Sequence, residues 1–383
     1  MNFTLTQKVK VLSGIGCIEN IGALVSEARY KKAFLVFGYG FRETGIIDII
    51  EKSLSESKID YVEYEKVVPN PTCDIVDEGA KICKEEGCDC VIAVGGGSAI
   101  DTGKGINILR FNEGSILKYT TAPIAPCKGF ISVPTTSGTG SELSQGAIIS
   151  DNRNNMKMLI PTDSFVEEYT ILDPNLTVGM PKELTMMTGL DAFSHAAEAY
   201  TSSKANPITD LICEKVMETV VEYLPVAVKG GKNIKARDKM LNAASLGGWV
   251  LYCSSDHIGH SIAHIIGAKC HIIHGAACAY GLPAVLRFIA DAVPGKVKAI
   301  GKILGADYDG SESFKEIGEK AADAYISFRD DVLGLKSIKE SNYYESMLGE
   351  MIECFVNDPF VDMSPKNITR DDAETMLKDS LNL

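Results

Sequence analysis

Two uninterrupted apolar runs, AFLVF at residues 33–37 and CVIAV at residues 90–94, constrain the first half of this chain more than any other feature. Five consecutive apolar residues rich in β-branched and aromatic side chains, with no polar alternation, suit strands covered on both faces. Between them the pattern changes period. Residues 44–57 carry apolar side chains at helical spacing, Asp60–Val67 alternates as a strand, and residues 72–87 read as a capped helix closed by a glycine. Strands alternating with helices in this order pair in parallel through right-handed crossovers. Further strands are expected at 130–133, 145–149 and Tyr169–Leu172.

The texture shifts after Asp173-Pro174: Pro181 is placed to open a helix, and long amphipathic stretches follow almost to residue 383. A chain of 383 residues also exceeds what one hydrophobic core usually supports. The expected fold is therefore α/β, with a Rossmann-like parallel-sheet domain over residues 1–178 and an all-helical domain over residues 179–383.

Charge narrows the partners. A net charge of −13, with no local cluster of lysine and arginine, repels a phosphate backbone and an acidic membrane surface, so neither nucleic acid nor membrane is expected as a partner. The opening MNFTLTQKVKVLSG lacks a basic start followed by an apolar run, and no stretch reaches the roughly 18 apolar residues of a membrane helix, which leads to the expectation of a cytoplasmic protein. The eleven cysteines are scattered, without paired CxxC spacing, as expected of reduced thiols. Cys270 and Cys278 lie near the histidines, but no spacing marks them as metal ligands.

Two polar, glycine-bearing segments follow strands. GGGSAIDTGK, Gly95 to Lys104, combines glycines that admit close backbone approach with Ser98, expected to cap the next helix and aim its free amides at a phosphate. It is neither a GxGxxG fingerprint nor a Walker loop, and by itself it equally describes a tight strand-to-helix turn. PTTSGTGSE, Pro134 to Glu142, adds hydroxyls suited to a dinucleotide.

All six histidines fall between His195 and His274. Asp191 and His195 are four residues apart, so on a helix they share one face; His260 and His264 repeat that spacing, and His274 follows in HIIHGA. One carboxylate with two or three imidazoles suits a divalent iron or zinc ion with coordination positions left open. A zinc peptidase would need a glutamate after the first histidine of the pair, where Ser261 stands.

Taken together, PNPT at 69–72, GGGSAIDTGK, PTTSGTGSE, DPNLT at 173–177, GLDAFSHAAEAY at 189–200 and GHSIAHIIGA through Gly275 resemble the iron-containing, or group III, alcohol dehydrogenases, relatives of dehydroquinate synthase and glycerol dehydrogenase. The resemblance implies Asp191, His195, His260 and His274 as ligands of Fe²⁺, with Zn²⁺ a substitute, and His264 as a proton carrier beside substrate and cofactor. It implies nicotinamide contacts from Gly38, Asn70, Gly96, Gly97, Ser98, Asp101, Thr135, Thr136, Thr139, Ser144 and Lys157, with catalysis between the two domains on a short to medium primary alcohol or aldehyde, and a homodimer. NAD-preferring relatives carry an aspartate where this chain has Gly38, and Arg42 follows four residues on, so NADP(H) is the favoured cofactor. The sequence departs from the family in placing Ile272-Ile273 where many relatives have Thr-Pro before the last ligand, and in adding His257 and His271, read as surface residues or supports. A polyol dehydrogenase or other dehydroquinate synthase-like enzyme, and a non-catalytic nucleotide- and metal-binding module, are the alternatives.

Overall fold

The computed structural model describes residues 3–154, 156–162, 168–335, 343 and 345–382. It falls into two compact units, Thr6–Met180 and the chain from Pro181 onward together with residues 3–5.

The first unit is built on a six-stranded parallel sheet of β1 (Lys10–Ser13), β2 (Lys32–Gly38), β3 (Asp60–Val67), β4 (Cys90–Gly95), β5 (Phe130–Pro134) and a strand at Tyr169–Leu172, in the order β1, Tyr169–Leu172, β5, β4, β2, β3. Both apolar runs lie at its centre. Every residue from Ala33 to Phe37 and from Cys90 to Val94 has no exposed surface, because α1 (Ile21–Glu27) and α2 (Ile46–Glu56) pack with one face while α3 (Cys73–Glu85) and α4 (Gly97–Phe111) pack with the other. The chain runs outward from β2 to β3, then crosses to the other side of β2 to form β4. Strand order therefore reverses between β2 and β4, leaving a crevice at their carboxyl ends, the usual ligand position in such sheets.

Three expectations are corrected. The strand expected at 145–149 does not join the sheet: β6 (Gly146–Asp151) pairs antiparallel with β7 (Met156–Pro161), making the Tyr169–Leu172 strand β8. Alternating burial at Ala147, Ile149 and Asp151 is the mark of a hairpin with one covered face. Ser98 does not cap α4; Gly96 occupies the extended N-cap position, and Ser98 is already helical, its carbonyl accepting from Thr102 Oγ1 at 2.7 Å. Pro181 stands just before its helix rather than within the first turn. The edge strand β1, only four residues long and largely exposed, carries no pattern that distinguishes it from a loop.

The second unit is helical among its described residues: α5 (Lys182–Thr201), α6 (Pro207–Lys229), α7 (Ile234–Ser254), α8 (Ile258–Cys270), α9 (His274–Ile289), α10 (Pro294–Ile303), α11 (Phe314–Ser327), α12 (Leu348–Val356) and α13 (Arg370–Leu381). Helix α5 is buried along all its sides from Gly189 to Thr201, packed by α6, α7 and α9. A helix without a solvent face has to satisfy every polar side chain internally. On α5 these include Asp191, His195 and Glu198, at positions i, i+4 and i+7 of one stripe. No described helix is long and apolar enough to cross a membrane.

Lys104 is the buried polar anchor of the first unit. Its ammonium, 1% exposed, donates to the carbonyls of Ser141 at 2.6 Å, Gly146 at 2.8 Å and Ser144 at 3.0 Å, tying α4 to the loop that follows β5. Replacing Lys104 with Met keeps the apolar stem and leaves three carbonyls, that of Ser141 buried, without this donor. The expected loss is on the order of 3 kcal/mol, read as a lower urea midpoint; an unchanged midpoint would show that the loop holds itself.

Candidate active site

The polar loops of the first unit converge because β4 and β5 are neighbours, with Gly95 in register with Pro134. The Thr135 amide donates to the Gly95 carbonyl at 2.9 Å. A Cβ placed on Gly96 would sit 3.0 Å from Thr136 Oγ1, and one on Gly97 would sit 3.0 Å from Thr139 Oγ1. The two loops are therefore packed closely at these glycines, where a Cβ would press on the threonine side chains. The same convergence presents the first-turn amides of α4 beside hydroxyls, an arrangement suited to an anionic phosphate. Gly38 lies next along the edge at the end of β2, and Asn70, exposed and left-handed at φ +54°, lies beyond β3.

Other predicted contacts are engaged with the protein itself. Asp101 accepts from Ser141 Oγ and, at 3.0 Å, from the Ile148 amide, so both its oxygens brace the loop. Ser144 Oγ lies within 3.4 Å of Lys104 Nζ and 3.3 Å of the Ser141 carbonyl. Lys157 belongs to a different element, exposed on β7 in register with Ser150. Arg42, read from the sequence as a partner for a 2′-phosphate, has its guanidinium bound by Glu63, by Glu51 at 2.7 Å and by Asp48 at 3.3 Å, while neighbouring Gly40 donates its amide to Glu65.

In the second unit Asp191 is the centre. Its Oδ1 lies 3.7 Å from His195 Nε2, 3.9 Å from His260 Nε2 and 3.7 Å from His274 Nε2. These separations are too long for hydrogen bonds, and Oδ1, in a residue only 2% exposed, has no hydrogen-bond partner. Two donors each about 2.1 Å from one tetrahedral ion are about 3.4 Å apart. A buried, unpaired carboxylate oxygen faced by three imidazole nitrogens at close to that spacing fits a divalent cation and is costly without one. Burial favours the acid form of Asp191, but the fields of His195, His274 and His260 outweigh it and hold its pKa below the ordinary value.

Three helices place these groups. Asp191 and His195 share the buried stripe of α5; His260 is buried on α8, with the half-buried His264 one turn beyond it; His274 opens α9. Three residues, His271 to Ile273, join α8 to α9, with His271 exposed and left-handed at φ +57°, so Ile272-Ile273 still deliver His274 to the cluster. The His264 ring stacks on His274 with centroids 5.4 Å apart and lies 5.6 Å from Phe360, partly open to solvent.

Sequence reasoning missed Glu198 and set Cys278 aside. Glu198, 1% exposed, accepts the Nδ1 proton of His260 at 2.7 Å through Oε1, while Oε2 accepts the amides of His257, Gly259 and His260 at 2.9–3.1 Å. A carboxylate can only accept, so His260 carries its proton on Nδ1, and Nε2 is the nitrogen turned toward Asp191. A Cβ on Gly259 would fall 2.4 Å from Glu198 Oε1, so only glycine allows this approach. Burial opposes the ionised form of Glu198, but His260 and the amides at the start of α8 bring its pKa down to about 2. Its spacing of seven from Asp191 was the available signal. Cys278, which no spacing in the sequence marks as a ligand, lies one turn beyond His274 on α9, its Sγ 3.6 Å from His260 Nε2 and 3.7 Å from His274 Nε2.

His257, expected at the surface or in support, is wholly buried behind Glu198, with Nε2 2.9 Å from Thr201 Oγ1. Burial lowers its pKa to about 4. Because the folded value lies below the ordinary 6.5, the unfolded chain takes the proton first; the stability contribution is full above pH 6.5 and is lost as pH falls toward 4. Metal-free protein should therefore lose stability across that window. His257→Gln should flatten the decline there, while an unaltered profile by denaturant titration at each pH would contradict this assignment.

Comparison with known proteins identifies the family. The profile described as iron-containing alcohol dehydrogenase matches residues 8–174, and that of the Fe-containing alcohol dehydrogenase family, C-terminal, matches residues 185–381. The chain is 32% identical to a choline dehydrogenase of Bacillus subtilis over 97% of its own length and 93% of that protein. It is 31% identical to an NAD-dependent methanol dehydrogenase of Bacillus methanolicus, covering 96% of this chain and 97% of the relative. The solved structure of an alcohol dehydrogenase from Oenococcus oeni superposes with a TM-score of 0.94 at 31% identity, over 99% of this chain and all of the other. With both of its units matched and its fold shared, the chain belongs to the iron-containing alcohol dehydrogenase family of alcohol and aldehyde oxidoreductases.

Proposed function

We propose that this protein interconverts a short to medium primary alcohol and its aldehyde by hydride exchange with a nicotinamide dinucleotide, using a divalent ion held by Asp191, His195, His260 and His274. The observation that carries this reading is the unpaired Asp191 Oδ1, buried and faced by three imidazole nitrogens at 3.7–3.9 Å. A divalent ion in such a site acidifies an alcohol and polarises a carbonyl. Ferrous iron accords with the family, and zinc suits the same nitrogen and oxygen donors.

The remaining roles fall to the chain. Asp191 supplies a negative charge among neutral imidazoles, and Glu198 fixes the orientation and tautomer of His260. Gly96, Gly97 and Ser98 offer amides to a pyrophosphate, with Thr135, Thr136 and Thr139 beside them, and Gly38 and Asn70 flank the same sheet edge. Asp101 and Ser144 support this cradle by holding its second loop, and Lys157 offers a cation from the hairpin. His264, stacked on His274 and partly open to solvent, is placed to pass a proton between the substrate and water. The neighbouring Phe360 favours an apolar substrate chain.

For the cofactor we infer NAD(H) in place of the NADP(H) that sequence alone favours. Arg42 is committed to Glu51, Glu63 and Asp48, and Glu65 holds the adjoining amide, so a 2′-phosphate would meet surplus negative charge. The Bacillus methanolicus relative is described as NAD-dependent.

Anaerobically iron-loaded protein should reduce butyraldehyde with NADH, and chelation should abolish the activity. Catalytic efficiency with NADH should exceed that with NADPH by about tenfold or more. Fully metallated protein inert toward alcohols and aldehydes with both cofactors would overturn the enzyme reading, and a preference for NADPH would overturn the cofactor reading alone. At full metal occupancy His264→Ala should lower kcat about a hundredfold; unchanged turnover would remove His264 from proton transfer.

A further inference from the structure

Cys278 sits inside the proposed metal centre. It is 1% exposed and stands four positions after His274 on α9, so both side chains project from one helical face. One donor atom from each of Asp191, His260, His274 and Cys278 lies within 4.8 Å of all the others, with the sulfur 3.6 and 3.7 Å from the two imidazole Nε2 atoms. A buried structural thiol ordinarily packs among apolar atoms. Here it faces two ligand-type nitrogens and a carboxylate whose Oδ1 has no hydrogen-bond partner.

Resting on the metal reading above, we propose that Cys278 Sγ is a further ligand, added to Asp191, His195, His260 and His274, so that the ion is held by a mixed oxygen, nitrogen and sulfur set, with the thiol proton released to solvent when the ion binds. Sulfur brings soft-donor character to a centre otherwise composed of carboxylate and imidazole. The consequence is a preference for thiophilic divalent ions, zinc and cobalt, relative to manganese or magnesium. It also gives α9 two adjacent turns of metal contact, from His274 and from Cys278, where a single ligand would leave the helix free to pivot.

The test uses the full-length protein stripped of metal and titrated with Co²⁺. One equivalent should produce a sulfur-to-cobalt charge-transfer band in the near ultraviolet, and Cys278→Ser should lose that band while Cys270→Ser keeps it. X-ray absorption on the wild-type zinc form provides a readout that does not depend on a variant folding: one sulfur neighbour is expected at about 2.3 Å. Stoichiometric cobalt with no charge-transfer band, or a zinc shell of nitrogen and oxygen alone, would overturn the ligand role of Cys278 and leave the metal reading standing. Failure to bind either ion would overturn both. A cobalt band that survives Cys278→Ser would also reject Cys278, because another of the eleven thiols must then supply it.

Discussion

The carboxylate of Glu198 is the contact on which the second unit's polar interior depends. It projects from a helix with no solvent face, takes three amides from the start of α8 and takes the Nδ1 proton of His260. Each bond is of the charge-assisted kind, stronger than a neutral hydrogen bond, and together they offset the cost of burying the charge. The same group does two jobs. It fixes where α8 begins relative to α5, and it decides which nitrogen of His260 faces Asp191. Gly259 makes this possible by leaving room for the carboxylate against the helix backbone.

Asp191 is the complementary case. Glu198 has more partners than most carboxylates, whereas Asp191 Oδ1 has no hydrogen-bond partner and is nevertheless buried. Two carboxylates on one helical stripe, one saturated and one open, divide naturally into a support and a proposed ligand. The polar cluster is built on rigid helices α5, α8 and α9 rather than on long loops, which suits donors that have to hold fixed distances.

The first unit solves a different problem by the same means. Its two glycine-bearing loops are useful only if they stay together, and α4 secures this from beneath. Lys104 holds three carbonyls and Asp101 holds the Ser141 hydroxyl of the second loop and the Ile148 amide of β6, while Gly96 and Gly97 bring the first loop against Thr136 and Thr139. The GGGSAIDTGK segment is therefore partly a phosphate cradle and partly the brace for its neighbour.

Much of this was legible in the residues. Continuous apolar runs at 33–37 and 90–94 determined buried parallel strands, because only strands covered on both faces tolerate such sequences in this setting. The spacing of Asp191 and His195, and of His260 and His264, determined which side chains share a helical face. Sequence did not reveal β1, too short to show a period, or that Gly146–Asp151 would leave the sheet for a hairpin. Nor could it show what lies opposite a side chain. The pairing of Arg42 with Glu63, the burial of His257 behind Glu198, and the approach of Cys278 to His260 all join segments distant in sequence. Periodicity is a local property of the chain and fixes which face a residue occupies. The partner across that face is set by packing between segments distant in sequence, and only the tertiary structure decides it.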